Sequence, residues 1–115
     1  MNLNEYQVEA KLFAVNDDLM HFTFGLLEEA GEAAGVLKRL FRGDAGYGND
    51  LSYRDYGLSD GAAEKLKAEL GDILWHIALV ADNLGYTLEG IAQYNLDKLQ
   101  SRKARDMIKG SGDDR

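Results

Sequence analysis

Glu29 and Glu32 stand three residues apart, as do Glu69 and Asp72, and both pairs sit in stretches with helical apolar spacing. Residues three apart on a helix share a face, so two carboxylates from each of two helices can converge on one point. Left uncompensated, such a cluster repels itself and titrates as coupled acids. Hard divalent cations relieve the repulsion, and Mg²⁺ and Mn²⁺ favour carboxylate oxygens. The chemistry suggested is a metal site that handles phosphates. The competing reading is a solvated acidic face, because Glu pairs at this spacing are common on exposed helices. The neighbours favour the metal site. Leu26 and Leu27 precede the first acidic phrase, and Val36, Leu37 and Leu40 follow it. Leu70, Ile73, Leu74, Trp75 and Ile77 surround the second. An acid in an apolar run is partly buried, and a buried charge needs a partner. Gly31 and Gly71 lie inside the two phrases, where each costs about 1 kcal/mol relative to Ala. Their presence predicts close backbone approach beside the acids.

These pairs need long helices to carry them. The chain has 115 residues, enough for one domain, with 45% hydrophobic residues, enough for a core. It has no Pro, which suits uninterrupted helices, and no Cys, which excludes disulfides and thiolate metal sites. A net charge of −7 argues against non-specific binding to nucleic acid or an anionic membrane. An acidic protein still binds a nucleotide when a cation mediates. No apolar run reaches the ~18 residues of a membrane helix. The opening MNLNEYQVEAK has neither a basic start nor an apolar signal core, so the expected compartment is the cytoplasm. A small chain has much surface for its volume, which makes an oligomer plausible.

The spacing predicts a first helix over 4–15, capped by Asn4, with Val8, Leu12 and Val15 as its apolar stripe. A break at Asn16-Asp17-Asp18 precedes a second helix over 19–41, with Gly43 as its stop. Residues 43–60 form a long loop rich in Gly, Asp and Tyr. Tyr47, Tyr53 and Tyr56 in it would either stack on a base as part of a lid or anchor the loop to the surface. The helix over 60–84 is apolar around nearly its whole circumference, which predicts a central, buried element. Thr87 caps a last helix through about Lys109, with Ile91, Leu96, Leu99 and Ile108 on its buried side. The expected fold is all-α, an antiparallel bundle of about four helices. Residues 1–109 form its single domain and 110–115 a disordered tail.

The phrase GLLEEAGEAAGVLKR, the later phrase ELGDILWHIALVADNLG and the following Asn95-Leu-Asp-Lys98-Leu together resemble the motifs of the MazG-like, all-α nucleoside triphosphate pyrophosphohydrolases. The resemblance runs over roughly residues 3–105, and the Gly/Asp/Tyr insertion makes the spacer longer than in the shortest members. It implies Mg²⁺-dependent cleavage of a nucleoside triphosphate between the α and β phosphates, giving the monophosphate and pyrophosphate. Glu29, Glu32, Glu69 and Asp72 would hold one or two Mg²⁺ ions, with Mn²⁺ able to substitute, and one carboxylate would deprotonate or orient a water. Glu28 is a further candidate for that task. Lys38 and Lys98 would reach phosphate oxygens, with Arg102 as another candidate, and Asn95 would contact sugar or phosphate. The resemblance also implies a homo-oligomer, a dimer or tetramer, with the pocket near subunit contacts.

Other residues read two ways. His76, one turn past Asp72, would touch substrate or serve as a core or interface histidine, and Trp75 would contact the base or pack. His21 with Asp18 makes an Asp-x-x-His pair that would ligate iron, while Phe22 and Phe24 line the base pocket or fill the core. Two rival functions remain. A carboxylate-bridged di-iron bundle expects two Glu-x-x-His pairs, which this chain lacks. A non-enzymatic helical interaction module would carry the acids as a solvated face.

Overall fold

The computed structural model describes residues 1–47, 58 and 60–115. It contains four helices: α1 (Leu3–Lys11), α2 (Leu19–Arg42), α3 (Asp60–Asn83) and α4 (Leu88–Ala104). Among the described residues there is no strand, and the architecture is the expected all-α one. Tyr53 and Tyr56, and most of the 43–60 loop read as either a lid or a surface-anchored loop, lie outside the described residues.

The helix ends follow local chemistry. Asn2, not Asn4, caps α1 through a reciprocal pair: its Oδ1 accepts from Glu5 N at 2.8 Å and Glu5 Oε2 accepts from Asn2 N at 3.0 Å. Asn4 is used elsewhere, joining Glu89 at the start of α4 through two hydrogen bonds. Asp18 caps α2 by accepting from Met20 N, and Gly43 ends it at φ 80°, a left-handed conformation that glycine adopts at little cost. Thr87 caps α4 as expected. That helix stops at Ala104 rather than Lys109, and Asp106 follows with φ 57°.

Helices α2 and α3 form an antiparallel hairpin. Phe22 meets Trp75 edge-on at one end, and Val36, Leu40 and Ala62 cluster at the other with Leu37, Tyr47, Leu58 and Leu66 around them. Helix α3 touches all three other helices, whereas α2 and α4 do not touch. Small residues Ala10 and Ala78 let α1 lie against α3, and Trp75 Nε1 donates to the Ala10 carbonyl at 3.0 Å. The polar centre of this junction is Gln7, 8% exposed. Its Nε2 donates to the carbonyls of Ala78 (3.2 Å) and Tyr86 (3.0 Å), and its Oε1 accepts from Leu88 N at 2.9 Å. One side chain thereby fixes α1, α3 and the α3–α4 turn.

Several apolar expectations are corrected. Val8, Leu12 and Val15 are exposed, because α1 ends at Lys11 and presents Gln7 and Ala10 inward instead. Helix α3 is central but not buried on every side: Leu70 is 55% exposed and Leu74 also faces out. Ile91, Leu96, Leu99 and Ile108 are exposed too, since α4 packs only against α1 and α3, and its buried residues are Leu88 and Arg102. The radius of gyration is 17.2 Å, against about 13 Å for a compact chain of this length. Replacing Gln7 with Leu leaves the buried Leu88 N–H and the partly buried Tyr86 carbonyl without their Gln7 partner. The expected loss is about 2 kcal/mol of unfolding free energy, measured by urea denaturation.

Candidate metal centre

The antiparallel register of α2 and α3 sets the site. Near its start, α2 has Gly25 against His76 of α3. A Cβ built on Gly25 would sit 2.2 Å from His76 Nε2, so only glycine admits the ring there. His76 Nδ1 lies 2.8 Å from the Asp72 carbonyl oxygen. That oxygen can only accept, so Nδ1 carries the proton and Nε2 is the bare nitrogen turned toward α2 when the ring is neutral. Trp75 stands edge-on to the same ring at 4.9 Å between centroids. Trp75 and His76 thus both pack between the two helices. Gly25, which the sequence reading passed over, is the close-approach glycine. Gly31 and Gly71 meet nothing within 4 Å of a built Cβ, which corrects the expectation that they mark contact between the two helices.

One turn further along α2, Glu29 and Glu32 face Glu69 of α3. One oxygen from each of these three lies within 4.8 Å of the others. Glu29 and Glu69 are half-buried and Glu32 is exposed. Asp72 is outside this trio, yet its charge reaches Glu29. Burial, then the charges of Glu32, Asp72 and Glu69, push the Glu29 carboxyl above its ordinary value, against a smaller opposing pull from His76. Asp72 also raises Tyr6, after burial as the larger cause. Among the described residues, no lysine or arginine pairs with any of these four acids. The trio is therefore a set of hard oxygen donors held together against their own repulsion. That donor set fits Mg²⁺ or Mn²⁺ and does not resemble a softer N/S site.

The remaining candidates are distributed unevenly. Lys38 lines a groove of about 450 Å³ along α2 with Gly31, Ala34, Gly35, Arg39 and Arg42, so acids and cations share one helix. Arg39 and Arg42, in the last turn of α2, join Lys38 in that groove. Arg42 is already engaged by Asp44, whose carboxyl that pairing holds below its usual range. Asn95, Lys98 and Arg102 lie on α4, which does not touch α2. Within one chain Lys98 and Arg102 are paired with Asp113. Glu28 and His21 are exposed. The Asp18 carboxylate caps α2, and the acidic trio is the one candidate metal group among the described residues. It contains no histidine.

Residues 20–105 match the MazG nucleotide pyrophosphohydrolase domain. The chain belongs to the MazG family. A curated relative, the "Gene 37 protein" of Mycobacterium phage L5, is 36% identical over 124 aligned positions that span 100% of both chains. No solved structure matches significantly. The MazG match begins inside α2 and ends just after α4, so α1 and the segment after residue 105 lie outside it.

The raised Glu29 pKa fixes the sign of a pH effect. Glu29 holds a proton more tightly folded than unfolded. Its contribution therefore favours folding below the unfolded value and is lost as pH rises through the folded value. In EDTA, the melting temperature should fall as pH rises out of the carboxylate range. Mg²⁺ at neutral pH should restore it by binding the folded state. Glu69→Gln should shrink both effects in the same thermal melts. Gly25→Ala, by forcing the helices apart, should weaken the Mg²⁺ shift even where the protein remains folded.

Proposed function

We propose that this MazG protein is a Mg²⁺-dependent nucleoside triphosphate pyrophosphohydrolase, cleaving between the α and β phosphates to release the monophosphate and pyrophosphate. The observation that carries the reading is the convergence of Glu29, Glu32 and Glu69 from facing helices of a MazG-family chain, with no lysine or arginine paired to them among the described residues. Glu29, Glu32 and Glu69, with Asp72 beside them, would hold the metal. A Mg²⁺ ion held by these carboxylates would supply neutralisation of phosphate charge and activation of water. A carboxylate of the cluster, or Glu28, accepts the proton from the attacking water. Water oxygen joins phosphorus as the bridging P–O bond breaks, and pyrophosphate leaves with that bridging oxygen. Lys38 holds phosphate oxygens at the basic end of the α2 groove, while Asn95 and Lys98 contact sugar and phosphate.

Because α4 does not reach α2 within one chain, Asn95 and Lys98 act on the α4 of a second copy. Uncovered apolar residues on three helices support a homo-oligomer, a dimer or tetramer: Phe24 (64% exposed) and Leu27 (72%) on α2, Leu70 and Leu74 on α3, and Leu96 and Leu99 on α4. Among the described residues no helix is long and apolar enough to cross a membrane. With its acidic charge, the protein takes nucleotides rather than nucleic acid or a membrane surface, and works in the cytoplasm.

The test is pyrophosphate release from a panel of nucleoside triphosphates, with Mg²⁺ and with EDTA. Release should need the metal and fall at least about a hundredfold in Glu69→Gln. Orthophosphate instead of pyrophosphate would refute the bond assignment. No release and no Mg²⁺ thermal shift would leave the interaction-module reading. Light scattering should give more than one chain per particle, with Leu27→Glu shifting it toward the single chain.

A further inference from the structure

After Ala104 the chain reverses. Met107 N donates to the Arg102 carbonyl at 2.7 Å, and Asp106 takes a positive φ at the turn. Residues 107–115 then fold back on α4 through their own anchors. The Arg115 side chain donates to the carbonyls of Met107 (3.2 Å), Ile108 (3.1 Å) and Gly112, and Arg105 Nη2 donates to the Arg115 carbonyl at 3.0 Å. This fold-back delivers Asp113 onto two cations. Its Oδ1 is 3.1 Å from Lys98 Nζ and 3.2 Å from Arg102 Nη2. Lys98 and Arg102 stand four residues apart on α4 and so share a face, where their like charges favour an anion between them.

The Arg102 side chain is only 6% exposed, while Asp113 is 81% exposed. A deeply held guanidinium thus has a loosely held acid as its partner. Nη2 carries two protons but faces three acceptors, at 3.3 Å (Gly112 O), 3.1 Å (Asp113 O) and 3.2 Å (Asp113 Oδ1). Nε is buried with no acceptor at all. A guanidinium is satisfied best by two parallel bonds to one oxyanion, and this carboxylate does not provide them. A phosphate group, with more oxygens and more charge, fits Nε, Nη2 and Lys98 better than Asp113 does.

We propose that the segment after α4 is an intramolecular latch: Asp113 occupies the anion site made by Lys98 and Arg102, and a polyphosphate chain must displace it to bind there. The inference rests on the reading of Lys98 as a phosphate contact. The segment lies beyond the MazG match at 20–105. As part of the same chain, Asp113 competes at the high effective concentration of a short tether, on the order of millimolar. Lys98, then Arg102, holds the Asp113 carboxyl below its usual range, so it stays ionised through neutral pH. Competing anions and salt, rather than neutral-range pH, therefore open the latch.

The experiment is calorimetric titration of inorganic tripolyphosphate, in EDTA, into the full chain, Asp113→Asn and a variant lacking residues 110–115. Both variants should bind about fivefold more tightly than the full chain, the scale of one partly exposed ion pair. Adding Lys98→Ala to Asp113→Asn should abolish the gain. Unchanged or weaker binding by Asp113→Asn overturns the latch. So does a variant that only melts earlier, which would make Asp113 a structural tie. Nucleotide turnover separates the two readings. Tighter tripolyphosphate binding with no pyrophosphate from any nucleotide keeps the latch and sinks the activity. Turnover with unchanged KM, together with unchanged tripolyphosphate affinity, sinks the latch and keeps the activity.

Discussion

The approach of α2 to α3 at Gly25 and His76 is the constraint on which the site depends. A histidine ring fills the space where any other residue of α2 would place a Cβ, and its Nδ1 bond to the Asp72 carbonyl holds the ring in that position. The antiparallel register then follows without further adjustment. Phe22 meets Trp75, Glu29 and Glu32 meet Glu69, and Val36 and Leu40 meet Ala62. Apolar clusters at both ends of the hairpin offset the repulsion between the acids in the middle. The acids are poor contributors to stability and good ones to cation binding, a division common where function is held against local preference.

The cationic half of the chemistry is arranged differently. Lys38 shares a groove and a helix with the acids, whereas Lys98 and Arg102 sit on a helix that α2 never touches. The apolar residues left uncovered on α2, α3 and α4 belong with that separation. A chain this short, spread over a radius of gyration of 17.2 Å, has more apolar surface than its own helices can cover.

Much of this was legible in the sequence, and the failures share a cause. Spacing alone placed the acids on two helices, and Gly43 and Thr87 were readable as helix ends because capping is local chemistry. The acidic phrases with the Asn95 and Lys98 motif carry the resemblance to the family that residues 20–105 match. What periodicity could not deliver was which apolar face finds a cover. Val8 and Leu12, Leu70 and Leu74, Leu96 and Leu99 all have helical spacing, yet each is left exposed by the described residues. Gly25 was missed because a glycine's role depends on what faces it, and His76 lies 51 positions away. Gln7 was missed for the same reason, since nothing in a polar residue's own surroundings announces three distant backbone partners.

Those partners bear on the order in which the chain assembles. Gln7 bonds residues 71, 79 and 81 positions further along. On a ribosome it emerges ahead of α2 and α3, while Leu88 emerges only after the whole α2–α3 hairpin has been made. Helix α1 has nine residues, too few to persist alone in water. The hairpin and its acids can therefore pair during synthesis, while α1 waits as unstructured chain for the turn that will receive it. The first helix is then the last to be locked, against α3 and the α3–α4 turn, after the site between α2 and α3 has formed.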